Sequence, residues 1–294
     1  MNSRWMIAQG RTVLTAGAVL AVLLLAGGWL FSHPMSVSAN QSVILLPAAM
    51  YHSVTDAGDS PAQYVISPSM LESDLQYLQA HGRETVTIHD LLAYVQDGAA
   101  LPEKPVLLTF DDGYYNNYKY AYPLLKQYGM RAVLSPVASL TERFSQTDEA
   151  EQEAWSYCTK QELKEMADSG VFEIQNHSYD FHELKPRKGC LRMAGETAAA
   201  YRQCFLSDTQ RAQDLFVSLG IEAPVCYTYP YGAVNAEAEA LTAVCGFSVT
   251  LRCEEGVTAL TRDTACLQGI RRNNRDGRWS SAQFWDALLA QTEG

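Results

Sequence analysis

From about residue 43 the chain alternates short apolar runs with amphipathic stretches closed by glycine. Val43 to Met50, Glu84 to Ile88, Val106 to Phe110, Arg131 to Val137, Val171 to Gln175, Val225 to Tyr229, Phe247 to Leu251 and Leu267 to Arg271 read as strands. The run Val106 to Phe110 is unbroken by polar residues, which suits a strand buried on both faces. Helical signals fall between the runs. Ser67-Pro68 opens a helix to Ala80, stopped at His81-Gly82, and Asp90 to Gln96 is a short helix closed by Gly98. Tyr118 to Tyr128 ends at Gly129, a Thr159-x-x-Glu162 capping box opens a helix stopped by Gly170, and Glu196 to Leu219 ends at Gly220. Asn235 caps a helix reaching Cys245, and Ser280 to Gln291 closes the chain. The acidic stretch from Ser139 to Cys158 reads as an exposed loop with solvated charges. Strand followed by helix over about 250 residues predicts a single parallel α/β domain.

The first 39 residues obey a different rule. Arg4 and Arg11 are their only charges, and they precede the uncharged segment Thr12 to Phe31. About 20 apolar residues suffice to span a bilayer, and positive charge ahead of the span places the downstream chain outside the cytoplasm. Val37-Ser38-Ala39 fits signal-peptide cleavage, while the length of the run favours a retained anchor. Residues 1–39 are thus expected to be a signal peptide or transmembrane anchor with a short linker, and residues 40–294 the folded domain. That domain carries 20 basic against 33 acidic side chains, a balance of −13. Such a surface excludes nucleic acid as a partner. The seven cysteines include no C-x-x-C pair, so a thiolate zinc site is not expected. Cys253 with Cys266 and Cys190 with Cys204 are the nearest candidates for disulfides.

Three of the predicted strands end in polar residues: Asp111-Asp112-Gly113, His177 with His182, and Tyr229-Pro230-Tyr231-Gly232. In a parallel α/β barrel such ends share one face, so residues distant in sequence can converge there. Two imidazoles and a carboxylate form the usual ligand set of an open catalytic zinc site. On a regular helix His177 and His182 would point about 140° apart, so a loop after the strand is the expected setting.

These residues resemble the polysaccharide deacetylases, carbohydrate esterase family 4, and within it the branch of poly-N-acetylglucosamine deacetylases. The resemblance runs from Tyr51-His52 to about Arg272. It implies a distorted (β/α) barrel of about seven parallel strands. TFDDG (Thr109 to Gly113) resembles the first motif, which makes Asp111 the catalytic base and Asp112 a metal ligand. HSYDFH (His177 to His182) resembles the second, which supplies both metal-binding histidines at the five-residue interval of that branch. YTYPYG (Tyr227 to Gly232) is similar to the third, in which Pro230 and Tyr231 line the sugar site and the Tyr231 N–H meets the oxyanion.

Two departures matter. Thr228 stands where many members carry an arginine that orients the base, so Arg272, with Arg271 as the alternative, is expected to fill that role. No histidine occurs after His182, so the usual late acid is missing; His52 is the expected replacement, ahead of His81 and His89. The implied reaction is hydrolysis of the N-acetyl group of N-acetylglucosamine units in an extracellular or cell-wall polysaccharide, with a divalent ion, zinc, as cofactor. A non-catalytic carbohydrate-binding protein on the same fold, or a deacylase of a non-sugar amide, are the alternatives. Tyr114, Tyr115, Tyr179 and Tyr231, and more remotely Trp155 and Trp279, are candidates to stack on sugar rings.

Overall fold

Every residue from Pro105 to Asp112 is buried, so this strand occupies the middle of a sheet covered on both sides. The computed structural model describes residues 43–57 and 61–292. Arg4, Arg11, the uncharged segment Thr12 to Phe31 and Val37-Ser38-Ala39 lie outside the described residues. No helix among the described residues is long and apolar enough to cross a membrane. The described strands are β1 (Ile44–Leu46), β2 (Ala48–Tyr51), β3 (Ser53–Val54), β4 (Val65–Ile66), β5 (Glu84–Val86) and β6 (Pro105–Asp112), then β7 (Ala132–Pro136), β8 (Phe172–Ile174), β9 (Cys226–Thr228), β10 (Val249–Leu251), β11 (Thr258–Leu260) and β12 (Asn273–Asn274).

The main sheet runs β12-β2-β6-β7-β8, all parallel, with β5 added beside the first residues of β6. β9 and β10 form a second parallel pair. Single parallel bridges, Asn176 to Tyr227 and Leu251 to Ile270, link the ends of β8 to β9 and of β10 to the segment that leads into β12. β1 and β11 pair antiparallel, and β3 and β4 pair parallel, outside this path. The architecture is therefore α/β with a parallel central sheet, as the strand–helix alternation requires.

The helices form where the sequence signals them. Ser67 caps Pro68–Ala80 by accepting the Met70 N–H, and Leu71, Leu75 and Leu78 bury one face of it. That face also buries Asp74, which accepts from Arg275 Nε at 2.8 Å and from the Tyr51 hydroxyl at 3.1 Å. The helix, β2 and the segment after β12 are thereby tied by one buried polar contact. Thr159 and Glu162 form the expected reciprocal cap of Lys160–Asp168.

Four expectations change. Pro47 splits Val43 to Met50 into β1 and β2. Leu267 to Arg271 is not a strand: Thr264–Leu267 is a 3-10 turn, Gly269 turns the chain at φ +78°, and the strand forms later, at Asn273–Asn274. The stretch Ser139 to Cys158 is not all loop, because Ala138, Thr141 and Phe144 share a buried face and form the helix Ala138–Phe144. The disulfide candidates are not formed, and all seven cysteines are free. Cys190 Sγ donates to the Ala233 carbonyl at 3.2 Å, while Cys253 Sγ lies against Met50 and Arg272. Thiol titration of the unreduced protein in denaturant is expected to return seven reactive groups; a count lower by two or more would show a bridge.

Candidate active site

Three non-glycine residues among the described ones adopt left-handed backbone: Asp112 (φ 70°), Ser178 (φ 79°) and Tyr231 (φ 57°). Each such residue costs of order 1–3 kcal/mol and survives only where its surroundings hold it. All three lie in the polar strand ends singled out above. At the end of β6, Gly113 continues the left-handed turn, and a Cβ there would stand 2.5 Å from the Pro136 Cβ. Alternation along a strand sends neighbouring side chains to opposite faces. The turn at Asp112 breaks that alternation, and Asp111 and Asp112 both line one cleft of about 820 Å³, together with His52, His177, His182 and Tyr231.

Asp112, His177 and His182 form a group able to hold a metal ion, their nearest ligand atoms all lying within 4.8 Å of one another. Asp112 Oδ1 is 3.4 Å from His177 Nε2 and 3.0 Å from His182 Nε2. Bonds of about 2.0–2.1 Å in a tetrahedral site put neighbouring ligand atoms roughly 3.4 Å apart, so the spacing fits. The orientation of the ring fits too. His177 Nδ1 lies 2.8 Å from the Thr228 carbonyl, which can only accept, so Nδ1 donates there and Nε2 is the ring atom turned toward the Asp112 carboxylate. Burial by itself would raise the Asp112 pKa, but the two imidazoles outweigh it and hold the carboxyl well below its usual range. His182 shifts upward, the Asp112 contact prevailing over burial.

The histidine loop is set by contacts that sequence reading missed. Asp208, from the helix Ala198–Ser218, accepts the Tyr179 N–H at 2.9 Å on one oxygen and the Asp180 N–H at 2.8 Å on the other. Asn176 Oδ1 accepts the Ser178 N–H at 2.7 Å across the left-handed turn. Nothing in the local sequence marks Asp208 as different from other polar residues of an amphipathic helix.

Arg272 is the arginine that meets Asp111. It is fully buried, and its Nη1 and Nη2 meet Asp111 Oδ1 and Oδ2 at 2.6 and 2.9 Å. Thr109 Oγ1 and the Arg252 carbonyl take further donors. Burial alone would raise the Asp111 pKa; the guanidinium reverses this and keeps it lowered. Arg271 is exposed and pairs with Glu254. Thr228 shares a buried hydroxyl contact with Ser135 at 2.8 Å.

His52 faces the same cleft, with its carbonyl fixed by Asn117 Nδ2 at 2.8 Å and its ring edge-on to Tyr64 at 4.8 Å. Burial lowers its pKa, and Asp111 and Asp112 only partly oppose that. His81 instead stacks on Tyr77, and His89 sits between Glu173 and Glu222. Tyr231 stacks on His182 at 4.6 Å and stays 41% exposed, as a ring open to ligand does. Pro230 is buried behind it and does not line the cleft. Tyr114 lines the cleft and stacks on Tyr157 at 4.8 Å; Tyr157, from the acidic stretch, went unrecognised in sequence. Tyr115 and Tyr179 lie outside the cleft, Tyr179 being covered by the Arg211 guanidinium at 3.6 Å.

Two measurements check this geometry. Zn²⁺ at a hundredfold excess over its Kd is expected to stabilise the fold by about 2.7 kcal/mol, read as a rise in the thermal midpoint. Asp112→Ala or His177→Ala should abolish the rise; an unmoved wild-type midpoint would speak against the metal group. Arg272→Met strands a buried carboxylate and is expected to cost about 3–5 kcal/mol in urea denaturation. Adding Asp111→Asn in the same chain should recover much of it, whereas simple additivity would show that the pair is not coupled.

The sequence profile of the polysaccharide deacetylase family matches residues 98–250. YxkH of Bacillus subtilis (strain 168), named for the same family, is 28% identical over 227 residues, 77% of this chain and 71% of its own. The poly-β-1,6-N-acetyl-D-glucosamine N-deacetylase of Staphylococcus aureus (strain MSSA476) is 29% identical over 175 residues, 58% of this chain and 55% of its own. This chain thus matches about half the length of that relative. IcaB from Ammonifex degensii superposes with a TM-score of 0.67 over 85% of this chain and 98% of its own at 24% identity, which shows a common fold. With more than half of its residues matched by that profile, the chain belongs to the polysaccharide deacetylase family.

Proposed function

We propose that this protein is a metal-dependent N-deacetylase acting on N-acetylglucosamine units of an extracellular polysaccharide, with zinc as its ion. The observation that carries this reading is the placement of the Asp112, His177 and His182 group beside an Arg272-paired Asp111 in one open cleft. A divalent ion held there supplies Lewis acidity, which polarises an acetamide carbonyl and makes water more acidic.

The chain's own residues supply the rest. Arg272 keeps Asp111 ionised and fixes both its oxygens, so this carboxylate is the base that takes a proton from the attacking water. His52 gives a proton to the departing amine. Burial lowers its pKa, so its protonated form is the better donor but the less populated one. Tyr231, whose left-handed backbone turns its residue into the cleft, donates its N–H to the developing oxyanion by family resemblance. Water adds to the carbonyl, the C–N bond breaks, and acetate and a sugar amine leave.

Architecture and location extend the same reading. The parallel pairings and the two single bridges support a distorted barrel of about seven strands. The uncharged segment after Arg4 and Arg11 supports a membrane-anchored or secreted protein with residues 40–294 as its catalytic part. The Staphylococcus relative favours a β-1,6-linked polymer.

Acetate release from β-1,6-linked N-acetylglucosamine oligomers is the direct test. Chelator should abolish it, and Asp111→Asn should lower kcat by about 10²- to 10⁴-fold. A metal-loaded protein that releases no acetate from β-1,6-linked, β-1,4-linked or peptidoglycan substrates would overturn the proposal.

A further inference from the structure

We infer that the cleft continues into a second sugar subsite, built on Glu255 and Trp279, that takes a hexosamine unit already stripped of its acetyl group. This rests on the polymer substrate proposed above. A hollow of about 330 Å³ adjoins the metal cleft, and the two share Gln63, Glu255 and Asn274 in their walls. A chain lying in one therefore runs into the other.

The aromatic residues lie along the same track. Among the described residues, Tyr64, Trp155, Tyr231 and Trp279 are the strongly exposed aromatics. Tyr64 and Tyr231 line the cleft, and Trp279, 48% exposed, lines the hollow. An exposed indole at the floor of a groove offers a flat apolar face to a pyranose ring, as core packing does not require.

Charge decides which sugar fits. Glu255 is exposed at the junction, and its basic neighbours are committed elsewhere: Arg271 to the Glu254 carboxylate, Arg252 to Glu239 and Arg278 to Asp276. Arg271 touches Glu255 only at its backbone carbonyl. The Glu255 carboxylate thus has no ion pair among the described residues and offers acceptors alone. An ammonium brings charge and donors to it; an acetamide brings neither charge nor more than one N–H. Each turnover at the metal group creates such an ammonium, so a partly deacetylated chain binds better than a fresh one.

The test uses the full chain, loaded with Zn²⁺, and two β-1,6-linked hexamers, one of N-acetylglucosamine and one of glucosamine; every binding arm carries Asp111→Asn so that the acetylated hexamer is not consumed, and acetate release is read with Asp111 intact. Affinities are measured by calorimetry at about pH 6, below the ~7.7–8.0 of an α-amino group, so that the amines are protonated. The glucosamine hexamer is expected to bind more tightly, and Glu255→Gln to reduce that preference by roughly 2- to 5-fold, the size of one exposed ion pair. Raising the salt should reduce it likewise. Trp279→Ala should weaken both hexamers. Equal binding of the two hexamers with Glu255 intact, or a preference left unchanged by Glu255→Gln, overturns the subsite. Acetate release without a Glu255-dependent preference removes this inference alone, whereas a Glu255-dependent preference without any acetate release removes the catalytic reading and leaves the cationic subsite standing.

Discussion

A guanidinium and a carboxylate, both withdrawn from water, face each other at the end of the central strand. Taking Arg272 and Asp111 out of solvent is expensive, and only the two-pronged contact with further acceptors at Thr109 and Arg252 offsets it. The pair also has a topological consequence. Arg272 immediately precedes β12, which lies beside β2, and β2 lies beside β6. The arginine just before the last strand of the sheet thus reaches the Asp111 carboxylate on the central one. Stability and the ionisation of Asp111 are served by the same contact.

Backbone strain sits beside that contact and the Asp112, His177 and His182 group. Left-handed turns at Asp112, Ser178 and Tyr231 redirect three chain segments toward one cleft, against a local preference that favours other conformations. Each turn is held by neighbours: Gly113 beneath Pro136, Asn176 and Asp208 around the histidine loop, and the ring stack of Tyr231 on His182. The site is thus preorganised by packing around it rather than by its own residues. His52 fits the same pattern, since Asn117 fixes its backbone while its ring remains in a poorly solvated position that disfavours charge.

The polar wall of the cleft extends this logic outward. Tyr157, within the acidic stretch, stacks on Tyr114 from the end of the central strand, and Glu153 is tied to Lys119 and Tyr120. Charges that look freely solvated in sequence in part anchor a loop whose aromatic residues shape the opening. On the other side, Glu255 has no ion pair among the described residues, while its basic neighbours are paired.

Sequence alone determined what depends on local pattern. Apolar periodicity, caps at Ser67 and Thr159, and glycine stops locate the main helices and the central strand because these signals act within a few residues. TFDDG, HSYDFH and YTYPYG mark the strand ends because each is a run of adjacent residues and is legible without knowing the fold. What only tertiary structure decided involves partners far apart in the chain. Which of Arg271 and Arg272 meets Asp111 depends on burial, since the two are adjacent and only Arg272 lies in the core. The strand expected at Leu267 to Arg271 moved to Asn273–Asn274 because Gly269 turns the chain before the sheet accepts it. Asp208, Asn117 and Tyr157 acquire their roles from residues 28 to 65 positions away, or from a ring brought alongside by folding, and no local motif encodes a contact across that separation.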